Sequence, residues 1–266
     1  MILLRSALYH LLFATMTLTL GVLYLPLLLA PRATCQRFAM LWVEGALWLQ
    51  RRVLGLSCEL RGLENLPPGP VLIAAKHQSA WDTLIFHHLL RDPAIVIKRE
   101  LLFLPVIGWY LWKSGQIAID RGAGAKALRG LATSCRRAVE EGREVVIFPE
   151  GHRQPPGTTG QYQPGIALLR HELGVPVVPV ALNSGLFWGR NAFLRYPGRV
   201  LLQILPPMKD GLDRRRFMAE LETRIETATR ALEVESLSRQ PSLARDLAGP
   251  VDKSVEDSRA PEPPFP

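Results

Sequence analysis

The sequence predicts an α/β fold: a mixed, mostly parallel sheet flanked by helices, with an N-terminal membrane-anchoring helical segment. Three observations predict it. Beyond residue 70, short apolar runs rich in Val and Ile alternate with longer stretches of helical period. Several of those runs are apolar throughout, as in strands covered on both faces. And the 25 residues from Ser6 to Ala30 contain no Asp, Glu, Lys or Arg.

In chain order, that uncharged run comes first. As a helix it would reach about 37 Å, enough to cross a bilayer core with some tilt. Pro26 should bend it or end it early. Thr34 is placed to cap a second helix, in which Phe38, Leu41, Trp42 and Leu49 recur at near-helical spacing between Arg37, Glu44, Arg51 and Arg52. Two arrangements fit. The first helix spans the membrane and the second lies on it, or both form a hairpin dipping into one leaflet. A buried core hairpin is the bland alternative. Arg32, Arg37, Arg51 and Arg52 follow the first helix, so its far side, and the active site, are expected on the cytoplasmic face. Predicted strands follow at 57–62, 71–76, 94–98, 116–120, 144–148, 177–182 and 199–205. Predicted helices occupy 81–91, 103–113, 124–141, 164–173 and 212–233. From 236 onward Pro, Ser and charge dominate and the periodicity ends. The expected organisation is therefore an anchor at 1–56, an α/β domain at 57–235 and a disordered tail at 236–266.

Composition narrows the function classes. The 266 residues are 48% hydrophobic, ample for a core. Three cysteines with no C-x-x-C exclude a disulfide scaffold or a structural zinc site. The net charge is +8; the tail from 235 has six acids and four bases, so the body carries +10. A basic body implies an anionic partner. No nucleic-acid-binding module accompanies it, so membrane and phosphorylated substrate are the better partners. No G-x-G-x-x-G or Walker motif supports a nucleotide site.

Four short segments carry chemistry. Lys76-His77-Gln78-Ser79-Ala80-Trp81-Asp82 lies where a strand gives way to a helix, the place where open α/β sheets bind ligands. A carboxylate in the first helical turn can reach back to the imidazole, fix its tautomer and stabilise its charged form. The free nitrogen can then take a proton from a hydroxyl. The spacing alone is weak, since His87 and Asp92 repeat it within and just beyond a helix; context selects His77 and Asp82. Next, Gly115 to Arg121 ends a strand in Asp-Arg, where Arg121 can grip a phosphate or Asp120 can form a loop ion pair. Third, Phe148-Pro149-Glu150-Gly151-His152-Arg153 again follows a strand. It offers an acceptor in Glu150, an anion receptor in Arg153 and a permissive backbone at Gly151, or simply a polar turn. Fourth, Val177 to Asn183 reads as core, with Pro179 pointing to an edge or irregular strand.

In this order and spacing the four segments resemble the blocks of the glycerolipid acyltransferases, specifically the 1-acylglycerol-3-phosphate acyltransferases. The family pattern runs N-H-x-S-x-x-D, G-x-x-F-I-D-R, F-P-E-G-T-R-S and V-P-[VI]-x-P-V, and the likeness covers about residues 70–185. It implies that His77 is the general base, oriented by Asp82, and that Arg121, Glu150, Gly151 and Arg153 form the acceptor pocket. It implies an acyl-CoA or acyl carrier protein as acyl-donor substrate, lysophosphatidic acid as acceptor in a membrane lipid setting, and neither metal nor bound cofactor. The apolar stretch 101–112 and the fourth segment are candidates for housing the acyl chain. Lys76 stands for the usual Asn, Ala118 for Phe, and His152 and Gln154 for Thr and Ser.

Overall fold

The computed structural model describes residues 1–120 and 124–248. Helix α1 (Ile2–Leu23) stops before Pro26, and a 3-10 turn (Leu25–Leu29) leads into α2 (Arg32–Leu49). That second helix starts two residues before Thr34. Pro31 precedes its first turn, so the expected threonine cap is not used. The domain then runs β1 (Leu56–Arg61), β2 (Leu72–Ala75), α3 (Trp81–Leu89), β3 (Ala94–Lys98), α4 (Ile107–Lys113), β4 (Ile117–Ile119), α5 (Gly124–Glu140) and β5 (Val145–Ile147). It closes with α6 (Gly165–Leu173), β6 (Val177–Leu182), β7 (Gly198–Ile204), α7 (Arg214–Arg239) and α8 (Pro241–Ala248).

The strands form one sheet in the order β1-β7-β6-β2-β5-β3-β4, parallel except for the β6–β7 pair. The central strand β2 is where the chain switches sides, with β5 on one flank and β6 on the other. Ligand crevices form at such switch points. Strand period divides the core. Ile73, Ala75, Val146 and Phe148 face a cluster that includes Tyr9, Trp81 and Phe86. Leu72, Ala74, Val145 and Ile147 face another with Ile166, Phe217 and Leu221, from α6 and α7.

Three expectations change. β6 is an interior strand, not an edge. Pro179 is tolerated because ladder pairing with β7 begins only at Val180, so no partner asks for its missing N–H, while its carbonyl accepts from Leu205. The helix expected over 103–113 starts at Ile107. Pro105 breaks it, and Val106 takes a positive φ of 66°. Residues 236–248, expected as disordered tail, are helical: α7 continues to Arg239, and α8 buries Leu243 completely in the core. The rest of that tail lies outside the described residues.

α1 has the length and composition to cross a membrane. It is held at three levels, to the domain near both ends and to α2 between them. Ser6 Oγ accepts from Arg195 N–H (2.9 Å), Thr17 Oγ1 accepts from Trp42 Nε1–H (2.9 Å), and Gly21 C=O accepts from Tyr110 O–H (2.8 Å). Its other face leaves Leu3, Leu4, Leu11, Leu18 and Val22 exposed.

Candidate active site

β2 delivers His77 two residues past its end, and α3 returns Asp82 beneath it. The His77 Nδ1 lies 2.8 Å from Asp82 Oδ2. The same oxygen accepts the backbone N–H of Gln78 (2.8 Å) and Ser79 (2.9 Å), so Asp82 caps the turn that positions its own histidine. Its other oxygen accepts from Ser184 Oγ at 2.5 Å. Asp82 is wholly buried and meets four hydrogen-bond partners. A carboxylate at Nδ1 places the ring proton there and the lone pair on Nε2. Ser79 is buried, with its hydroxyl accepting from Trp81 N–H, so it is not presented as a nucleophile.

The third segment clamps His77 from the neighbouring strand. Phe148 stacks on the imidazole, with ring centroids 4.0 Å apart. Glu150 Oε2 accepts His77 N–H (3.4 Å), and His77 C=O accepts Gln154 N–H (2.8 Å). Glu150, expected in the acceptor pocket, instead points inward. It is 2% exposed, and its Oε1 accepts from Lys76 Nζ (2.7 Å) and Gly160 N–H (2.8 Å). Burial pushes its carboxyl above the usual range, and Lys76 opposes that push. Gly151 has φ +71°, a conformation that glycine adopts freely. Arg153 makes no side-chain hydrogen bond or ion pair among the described residues; its carbonyl accepts from Arg190. Arg121 lies outside the described residues. Before it, Asp120 is paired with Arg99 at 3.1 Å.

A cleft of about 410 Å³ opens over the C-terminal ends of β3, β4 and β5, lined by Val96, Ile119, Leu128, Phe148, Gly151 and Ile166. Phe148 therefore joins this largely apolar space to the His77 imidazole. The stretch 101–112 does not contribute to it. Phe103, Trp109 and Trp112 are exposed on the surface instead.

The second H-x-x-x-x-D is structural. Asp92 takes a two-pronged grip from Arg32 (2.9 and 2.7 Å), not from His87. His87 lines an apolar cavity of about 140 Å³ between α1, α2 and α4. Burial, helped by Arg143, pushes its pKa down to about 4. The unfolded chain, with an ordinary histidine near 6.5, takes up the proton first as pH falls. Stability is therefore full above pH 6.5 and is lost as pH drops towards 4, by about 3 kcal/mol from this residue. His87→Gln is expected to flatten that decline. Urea midpoints at pH 7 and 4.5 would check it; an equal drop in both proteins would reject the assignment.

Four functional neighbours escaped the sequence reading: Ser184, Gln78, Glu226 and Glu233. Ser184 follows β6, which flanks β2. Gln78 Nε2 donates to Glu233 Oε1 (2.7 Å), and Gln78 Oε1 accepts Gly185 N–H (3.1 Å). Only the strand order brings these together. The one local hint was the polar pair Asn183-Ser184 ending an apolar strand.

The acyltransferase family profile matches residues 57–183, from β1 to the end of β6. The chain is 37% identical over 224 residues to a Pseudomonas aeruginosa 1-acyl-sn-glycerol-3-phosphate acyltransferase, covering 84% of this chain and 87% of that protein. It is 30% identical over 163 residues to the mouse (Mus musculus) 1-acyl-sn-glycerol-3-phosphate acyltransferase alpha, 59% of this chain and 57% of that one. In fold it is similar to the crystal structure of the 1-acyl-sn-glycerophosphate (LPA) acyltransferase PlsC from Thermotoga maritima. The TM-score is 0.68 at 22% identity, over 87% of this chain and 99% of the other. With the His–Asp pair, the sheet and these relatives in agreement, the chain belongs to the 1-acylglycerol-3-phosphate acyltransferase family and is an enzyme of it.

Proposed function

We propose that the enzyme transfers a fatty acyl group from an acyl thioester, acyl-CoA or acyl carrier protein, to the sn-2 hydroxyl of 1-acylglycerol 3-phosphate, giving phosphatidic acid. The observation that carries this is the His77–Asp82 pair, with Nε2 left as a base, Phe148 stacked on the imidazole and lining the cleft, and the nearby Ser79 hydroxyl turned to Trp81 N–H. The acceptor oxygen attacks the thioester carbon while Nε2 takes its proton. The carbon–sulfur bond then breaks and the thiolate recovers the proton from the imidazolium, leaving ester and thiol. Histidine supplies both proton transfers, so the reading asks for no metal or bound cofactor. Arg153, with Arg121 after β4, is read as receiving the acceptor's phosphate. Glu150 is read as a strut for the base rather than as part of the pocket wall.

The anchor is read as the hairpin in one leaflet. Ser6 and Gly21 tie both ends of α1 to one domain, which supports a helix lying against the protein at the bilayer surface rather than crossing away from it. The exposed Trp109, Trp112 and Phe103 extend that apolar surface. Arg51 and Arg52 beside it favour the cytoplasmic leaflet.

The test is thiol release from an acyl-CoA or acyl carrier protein by the full-length protein in detergent or vesicles, with and without lysophosphatidic acid. Release that depends on that acceptor supports the reading. Release with a different lyso-lipid, or with glycerol 3-phosphate, would replace the acceptor. Arg153→Ala is expected to raise KM for lysophosphatidic acid about tenfold or more, the scale of losing a charge-assisted contact, with little change in the donor's KM. An unchanged acceptor KM would remove Arg153 from the site.

A further inference from the structure

Lys76 is one of the departures from the family pattern, standing where the pattern has Asn. The period of β2 turns it and His77 to opposite faces, so Lys76 enters the α6–α7 side. There it is completely buried. Its Nζ donates to Glu150 Oε1 (2.7 Å), to both carboxylate oxygens of Glu226 on α7 (2.9 and 3.0 Å), and to Thr158 C=O (2.9 Å). Glu226 is saturated in turn by Tyr162 O–H (3.0 Å) and Thr159 O–H (2.9 Å). One turn pair further along α7, Glu233 holds Gln78 and accepts Gly157 N–H (3.0 Å). The residues on either side of His77 are thus both tied to α7, a helix outside the 57–183 family match.

We propose that Lys76 and Glu226 are positioning residues for acyl transfer: Glu226 anchors the Lys76 ammonium, and Lys76 holds the Glu150 carboxylate whose second oxygen fixes the backbone of His77. The inference rests on the reading of His77 as the base. Its physical ground is the asymmetry of buried ion pairs. Such a pair adds little stability over well-packed apolar groups of the same shape, whereas removing one partner strands a buried charge. A cluster of one ammonium and two carboxylates is a poor stability device, but it fixes three chain segments at hydrogen-bond distances. Its value is geometric, and small displacements of a catalytic group carry large rate penalties.

The experiment uses the full-length protein with Lys76→Met, Lys76→Met/Glu226→Gln and Glu226→Asp. The single Met variant strands two carboxylates, and its melting temperature should fall. The double variant strands one carboxylate instead of two, leaving Glu150 on its backbone donors, so part of the melting temperature should return. Its kcat should nonetheless stay at least about tenfold down, with KM for donor and acceptor unchanged. Glu226→Asp keeps every charge and withdraws the carboxylate by one methylene; kcat should drop several-fold in a folded protein. A second readout does not depend on the acceptor. Diethylpyrocarbonate labelling of His77, followed by peptide mass spectrometry, should change at least threefold in the double variant while His171 labels as in the wild type. A double variant that regains kcat together with melting temperature, or whose His77 labels at the wild-type rate, would make the cluster merely structural and overturn the proposal. A rise in acceptor KM with unchanged kcat would overturn it as well, by moving Lys76 into binding. A wild type inactive on lysophosphatidic acid would remove the acceptor reading alone, and the labelling would still decide the positioning role.

Discussion

His77→Ala is expected to abolish acceptor-dependent thiol release, lowering kcat by about 10³-fold or more while the protein stays folded. The fold should survive because the side chain is 15% exposed and its loss costs one ring stack on Phe148 and one hydrogen bond to Asp82. The His77 backbone contacts to Glu150 and Gln154 do not need the side chain. The rate should fall because, among the described residues packed around His77, Ser79 and Asp82 are both committed to other contacts. The Ser79 hydroxyl is buried and accepts Trp81 N–H, and Asp82 is enclosed by donors. Unchanged circular dichroism and a near-normal melting temperature would make the loss catalytic. Residual activity above a tenth of wild type would mean that His77 is not the base. Release that continues without an acceptor would instead point to a thioesterase.

The second large effect is expected at Asp82. Asp82→Asn can keep the turn. Its amide oxygen can occupy the Oδ2 position, accepting from His77, Gln78 and Ser79, while its NH₂ meets Ser184 Oγ, a competent acceptor. The fold and the histidine tautomer are then retained, and what disappears is the negative charge beneath the imidazolium that forms as the hydroxyl attacks. We expect kcat to drop about 10²-fold or more, with KM for both substrates near wild type. Asp82→Ala should add a stability loss that Asp82→Asn does not share, since it leaves two buried backbone N–H groups and the Ser184 hydroxyl without an acceptor. Steady-state kinetics paired with thermal melts separate the two effects. If Asp82→Asn keeps at least a fifth of wild-type kcat, the carboxylate is a turn cap and no more.

What was legible follows the range of the interactions. The apolar runs revealed β2, β5 and β6 most plainly, because covering a strand on both faces leaves a mark within six residues. The His77–Asp82 pair was legible for the same reason: it closes within one strand-to-helix turn. Context also separated it from His87 and Asp92, whose partner proved to be Arg32, 60 positions away. Glu150 was singled out but misdirected. Its residue type marked a functional turn, while its orientation depended on Lys76, 74 positions earlier.

By itself, then, the sequence determined the α/β class, the apolar N-terminal helix and the spacing that brings Asp82 to His77, since each is written in local period or local spacing. Only the tertiary structure decided that β5 and β6 both flank β2, and with that which residues surround the base. Ser184 reaches Asp82 across 102 positions, and Glu226 reaches Lys76 across 150. No periodicity records such pairs. They arise from strand order and from the docking of α7, where a buried charge must find its partner wherever the fold has placed one.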